Sequence, residues 1–397
     1  MIDSPQSISE SDFRKLADGV RDPGPEHALR ELASQFRAQG RYHEYFEARL
    51  MECRFHAGLP TASPFQTDGL PQHIRDQLEK SYLQVCGETG RLFLEDGKLR
   101  EAWMYLRTLE DHEPMRIALR SLEVNAETID SVLEIAIYEG VDLALGFKHL
   151  LSEMGTCNAI TTYESVMPTR SMAERQQIAA LLVDHLHHEL ATNLTTASEE
   201  EASSGKFATN ALEEILAEVE GTFGEYTVHV DASHLSSVVR FAEIVDNQQS
   251  LERAYDLTLY GQRLHQNFHF PCPAPFEEIY TSHRLLFGAQ LGKEVEAAVD
   301  YFAAQAEKAK REDGTAWPAE VYVMLLDRLG KSEDALQAGI ALFPHDRQLE
   351  GVAPSLLELA SKSGKFEPLL SHYRDRGEWL PLAAALIQRQ SSDLSAR

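Results

Sequence analysis

Apolar residues recur along most of this chain at intervals of three and four, the spacing that places them on one face of a helix. The first such run begins at His27. Ala28-Leu29, Leu32 and Phe36 form one stripe, Gly40 interrupts it, and Tyr42, Tyr45, Phe46 and Leu50 resume it. Two amphipathic segments joined at a helix-ending glycine predict a helical hairpin. Residues 1–24 are polar and close on Asp22-Pro23-Gly24-Pro25, so they are expected to form a flexible tail outside the first helix. A Pro- and Gly-containing stretch from Gly58 to Pro71 separates the first hairpin from the next.

The texture changes in the middle of the chain. Residues 191–210 are small and polar with no apolar period, which predicts an exposed, mobile loop. A helix is expected over about 211–220. The short β-branched run Tyr226-Thr227-Val228-His229-Val230 suggests an extended segment. Asp231 or Ser233 would then cap a helix that buries Leu235, Val238, Val239 and Phe241. Cys272-Pro273-Ala274-Pro275 breaks the chain again before a last group of hairpins.

Residues 83–116 carry the clearest internal grammar. Gly90 and Phe93 stand at a Gly-x-x-aromatic step, Gly97 at a turn, Ala102 and Leu106 at an Ala-x-x-x-apolar step, and Pro114 at the end. This segment resembles one tetratricopeptide repeat, departing from the family pattern at Cys86 and Thr89, where Trp and Leu are usual. In that pattern small residues let the two helices approach, and the aromatic and leucine fill the space between hairpins. The grammar returns at Gly292, Ala297, Tyr301 and Ala304, at Gly330, Ala335 and Leu342 before Phe343-Pro344, and at Gly364, Leu369, Tyr373 and Pro381. The step from Gly330 to Gly364 is 34 residues, the length of one such repeat. Gly140, Ala144 and Leu150 suggest another hairpin.

The resemblance implies an all-α fold, an α-α superhelix or TPR-like solenoid with an irregular, His-rich centre. The expected organisation is a tail over 1–24, TPR-like hairpins over 25–155, a central segment over 156–275, hairpins over 276–390 and a tail over 391–397.

Charge narrows the partners. With 63 acidic against 37 basic side chains the formal net charge is -26, which repels nucleic acid and anionic membrane surfaces. Cys53, Cys86, Cys157 and Cys272 are widely spaced, with no CxxC pair, which fits a reducing compartment. The first residues contain no basic and apolar leader pattern, and no run approaches the length of a membrane span, so a cytoplasmic location is expected.

Histidine is the compositional anomaly: nine of the sixteen fall between His149 and His283. On a helix His185, His188 and Glu189 project toward one face, His149 pairs with Glu153 at the same spacing, and His229, Asp231 and His234 cluster at an element junction. Imidazole with carboxylate suits zinc, iron or manganese. The alternatives are solvated helix faces and, for Asp231, an N-cap. Asp231-Ala232-Ser233-His234-Leu235 also resembles a segment of some metal-dependent TIM-barrel sugar isomerases, although the chain lacks the strand–helix alternation of a barrel.

Trp103 and Arg107, and Tyr255, Tyr260 and Arg263, pair aromatic and guanidinium groups at helical spacing, a combination suited to recognising a partner. No G-x-S-x-G elbow, P-loop, G-x-G-x-x-G or HExxH motif is present. The expected function is therefore a protein-interaction scaffold that binds a peptide or partner protein on a concave helical surface. A metal-binding protein, or a metal-dependent hydrolase or isomerase using the central histidines, is the alternative.

Overall fold

The computed structural model describes residues 8–61, 69–201, 226–312, 314–343, 349 and 351–395. Helix-ending glycines organise it. Between α4 (Gln72–Glu95) and α5 (Leu99–Leu106), Gly97 takes φ +71°, a left-handed backbone that a Cβ would disfavour. The Lys98 N–H then donates to the Phe93 carbonyl at 2.9 Å, which satisfies a carbonyl left over at the helix end and reverses the chain. The same bond, also at 2.9 Å, runs from Arg41 to Phe36, from Lys331 to Leu326 and from Glu378 to Tyr373. It closes the pairs α2 (Pro25–Ala38) with α3 (Tyr42–His56), α14 (Trp317–Arg328) with α15 (Ser332–Leu342), and α17 (Glu367–Arg376) with α18 (Trp379–Ser395). Each pair packs as an antiparallel hairpin.

The chain forms two compact units, Met1–Leu150 and Leu151–Arg397. In the first, α2 packs on α3, α3 on α4 and α4 on α5. Their core includes Phe46, Phe93, Trp103, Tyr105, Leu106 and Met115. The Phe93 and Tyr105 rings stack with centroids 5.7 Å apart. Close approach of α4 and α5 depends on Gly90, where a Cβ would lie 2.5 Å from Leu106 Cγ. Next come α6 (Glu113–Ser121), α7 (Ile129–Leu133) and one π-helical turn, Glu134–Tyr138. Gly140 then turns the chain into α8 (Leu143–Val166), which is broken at Gly155 with φ +81°.

In the second unit α9 (Met172–Glu201) packs against α10 (Ala232–Phe241) and α11 (Gln248–Arg263). From α11 onward α12 (Ile279–Gln290), α13 (Val295–Arg311), α14, α15 and α16 (Leu356–Ser363) each pack on the one before. The described residues are all-α, with no strand among them. No helix among them is long and apolar enough to cross a membrane.

Several expectations are corrected. Glu10–Arg21 of the supposed tail forms α1, capped by Ser9, whose hydroxyl accepts the Asp12 N–H. Residues 191–201 of the supposed loop continue α9, while 202–210 and the helix expected over 211–220 lie outside the described residues. Leu194, only 1% exposed, anchors that last stretch in the core. Residues 391–395 likewise extend α18. Tyr226–Val230 forms turns and bends rather than a strand. The segments 156–275 and 276–390 fall within one unit, and the division comes at Leu150 rather than residue 155.

Candidate functional site

Helix α10 runs into a 3₁₀ turn at Ala242–Ile244, and the backbone leaves it extended at Val245. Asn247 then caps α11 by accepting the Ser250 N–H at 2.9 Å. This exit leaves three successive carbonyls without helical partners, and Arg328 at the end of α14 supplies them. Its guanidinium donates to Glu243 at 3.4 Å, Ile244 at 2.8 Å and Val245 at 2.9 Å, and to Gln290 Oε1 at 2.9 Å. Burial holds that guanidinium below its ordinary pKa, with Asp246 and Asp327 opposing the effect. From α9, Gln176 Nε2 donates to the Ile244 carbonyl at 3.0 Å and to Asp246 at 3.2 Å. Asp246 is thereby fixed at the mouth of α11.

Beside it lies an open cleft of about 550 Å³, lined by Asp246, Leu251, Glu252, Tyr255 and Asp256 on one side and by Gln290, Leu291 and Lys293 on the other. Residues 251, 252, 255 and 256 share a face because they repeat at helical spacing. Gly288 on α12 lets the Tyr255 ring lie flat, since a Cβ there would come within 3.1 Å of Tyr255 Cε2. Lys293 follows the turn at Gly292, where its N–H donates to the Gly288 carbonyl at 2.7 Å. The turn carries its ammonium to 4.0 Å from the Tyr255 ring centroid. Asp256 is steadied by His187, whose Nε2 lies 3.1 Å away. Asp246, Glu252 and Asp256 thus line one cleft with the Tyr255 ring and the Lys293 ammonium that covers it. A cation over the face of a tyrosine, flanked by carboxylates, is a favourable arrangement for a Lys or Arg side chain.

The residues singled out from sequence are dispersed. His185 Nε2 and Glu189 Oε2 are 3.7 Å apart, and Thr156 Oγ1 lies 3.2 Å from each. Burial pushes the His185 imidazole below its ordinary pKa, with Glu189 opposing. His188 is exposed outside that pair, and His149 is half-buried on α8. The backbone N–H of His229 donates to Tyr260 Oη at 2.8 Å, and its Nδ1 lies 3.2 Å from the same oxygen. Asp231 is the N-cap of α10, accepting the backbone N–H of Ser233 at 2.8 Å and of His234 at 3.3 Å. These bonds, with the Ser233 hydroxyl first, hold its carboxyl below the usual range. None of these side chains joins a convergent group of three ligand atoms among the described residues.

Of the aromatic and guanidinium pairs, only Tyr255 lines the cleft. Tyr260 is buried against His229, and Arg263 is exposed at the end of α11. Trp103 is buried rather than displayed, because it sits beside Ala102 on the inward face of α5 and packs edge-on to His112 at 4.9 Å. Arg107 is exposed at the end of the same helix.

Sequence reasoning missed Asp246, Glu252, Asp256 and Lys293. A local signal existed for two of them, since Glu252 and Asp256 are four apart and flank Tyr255. Lys293 comes from another helix end and had none. No family model, curated protein or solved structure matches the chain.

Proposed function

We propose that this protein is an interaction scaffold of stacked, TPR-like hairpins, and that the cleft between α11 and α12 receives a Lys or Arg side chain of a peptide or partner protein. The observation that carries the reading is the ammonium of Lys293 over the Tyr255 ring at 4.0 Å, within a rim of carboxylates. The chain's own lysine makes there the contact that an incoming cation would make. The net charge of -26 supports a basic partner, whose approach it would accelerate at low salt. Hairpins of this kind stack into extended surfaces, which suits the reading of a concave binding face. Of the central histidines, His185, His187 and His229 are engaged with Thr156, Asp256 and Tyr260 respectively.

Fluorescence anisotropy with a Lys-rich peptide and a Glu-rich control of the same length tests the proposal. Saturable binding of the basic peptide alone is expected, weakening as salt is raised. Tyr255→Leu, which keeps apolar volume but removes the ring, and Glu252→Gln are each expected to weaken it about tenfold. Equal binding of both peptides, or full affinity in both variants, would refute it.

A further inference from the structure

The first hairpin carries a second cluster, remote in sequence from the central histidines. Glu26 stands in the first turn of α2, while Glu52 and His56, four residues apart, share one face near the end of α3. One ligand atom from each of the three lies within 4.8 Å of the others. His56 Nε2 is 3.3 Å from Glu26 Oε1. We propose that Glu26, Glu52 and His56 form a binding site for a divalent transition-metal ion of the zinc type, leaving its remaining coordination positions to water.

Three observations carry this. The donor set joins an imidazole to two carboxylates, a mixture suited to a borderline ion; calcium and magnesium prefer oxygen alone. Metal–ligand bonds of about 2.0–2.2 Å place such donors roughly 3.5 Å apart, so small side-chain rotations would close the set. Glu52 is held ready, being only 7% exposed, with its Oε2 3.1 Å from Arg49, which in turn lies 3.1 Å from Glu88. A carboxylate already confined by packing and by an ion pair needs little reordering.

A further observation is the cation already present. Arg30 reaches Glu26 at 2.7 Å and Glu52 at 3.4 Å, so one guanidinium spans both carboxylates. Its side chain is 63% exposed and can swing into solvent without disturbing the core. Arg30 therefore acts as an exchangeable counter-charge, and it competes with the metal. An ordinary surface ion-pair cluster would not require that removing its arginine strengthen metal binding.

The test is isothermal titration of the full, tag-free chain with zinc chloride, repeated with cobalt chloride for its absorption spectrum. Wild type is expected to bind one ion at this site. His56→Ala and Glu26→Gln are each expected to weaken binding about tenfold or more, and Arg30→Gln to tighten it several-fold. Glu26 and His56 are exposed, and circular dichroism melts of each variant would establish that it folds. Unchanged affinity in His56→Ala would overturn the proposal. So would Arg30→Gln binding no tighter than wild type, or the absence of saturable binding in both of those proteins.

Discussion

The Lys293 ammonium and the Tyr255 ring are 4.0 Å apart, so the floor of the C-terminal cleft is covered by the chain's own cation. An incoming Lys or Arg must displace it. Contacts of this kind contribute about 0.5–2 kcal/mol, depending on how dry they are. Lys293→Ala is therefore expected to tighten binding of a basic peptide about three- to tenfold. Adding Tyr255→Leu to that variant should abolish the gain. If Lys293→Ala binds no tighter in anisotropy titrations, the basic side chain does not sit on the ring.

The hairpin of α4 and α5 offers two glycines with opposite outcomes. At Gly90 an added Cβ would meet Leu106 Cγ at 2.5 Å, Leu106 Cδ2 at 2.6 Å and the Ala102 carbonyl oxygen at 3.3 Å. Overpacking of this kind destabilises by about 1–3 kcal/mol and exceeds the helix-propensity gain of alanine, about 1 kcal/mol. At Gly87 the nearest foreign atom would be Leu109 Cδ1 at an ordinary 3.5 Å. Gly90→Ala should lower, and Gly87→Ala should raise, the denaturant midpoint of the N-terminal unit. Equal shifts in both variants would show that α4 and α5 are not in contact at Gly90.

These glycines also mark how far the fold could be read in advance. Gly90, Gly97 and Ala102 identified the α4–α5 hairpin because close packing and chain reversal each demand a small residue, and that demand is local. The ends were misread for local reasons too. Phe13, Leu16 and Val20 recur at helical spacing behind the Ser9 cap, but all three are exposed and the segment is otherwise polar, so the stripe is weak beside the breaker at residues 22–25. In 191–201 the buried Leu194 holds the stretch against the core, and the hydroxyls of Thr192, Thr195 and Thr196 are accommodated within the helix by donating to carbonyls four residues back. The cleft was not legible, because it joins the face of α11 to a lysine beyond α12, and only tertiary packing sets that distance. The Glu52–His56 pair had the same four-residue signal as His185–Glu189; what sequence could not supply was Glu26 from the neighbouring helix.

Arg328 carries most of the exit from α10, sharing the Ile244 carbonyl with Gln176. Its four acceptors are the carbonyls of Glu243, Ile244 and Val245 and the side chain of Gln290. Arg328→Met would keep volume but remove this donor from the Glu243 and Val245 carbonyls and from Gln290 Oε1, leaving the Ile244 carbonyl with Gln176 alone, at a cost of about 3 kcal/mol or more. A lysine has no planar fork to span the three carbonyls, so Arg328→Lys should be intermediate. Thermal unfolding should rank wild type above Lys and Lys above Met. Backbone hydrogen exchange should accelerate over 243–246 in both variants. Unchanged exchange there would mean that the carbonyls do not depend on Arg328.

Asp231 gives a pH dependence whose sign is fixed by its role as a cap. Its carboxylate accepts the Ser233 and His234 backbone N–H groups and the Ser233 hydroxyl, and these bonds lower its pKa relative to the unfolded chain. A group whose folded pKa is depressed stabilises fully above its unfolded value, and that contribution fades as pH falls through the folded value. Asp231→Ala should therefore cost about 1 kcal/mol, nearly constant from neutral pH down to about pH 4. Below that the gap to wild type should narrow, because protonated Asp231 is a poorer acceptor. Asp231→Asn keeps an acceptor oxygen without a titrating group, so it should stay near wild-type stability at neutral pH and add no acid-dependent loss of its own. Melting curves of the three proteins across this range decide the matter. A wild-type-to-alanine gap that stays constant to pH 2 would show that the ionised carboxylate is not what caps α10.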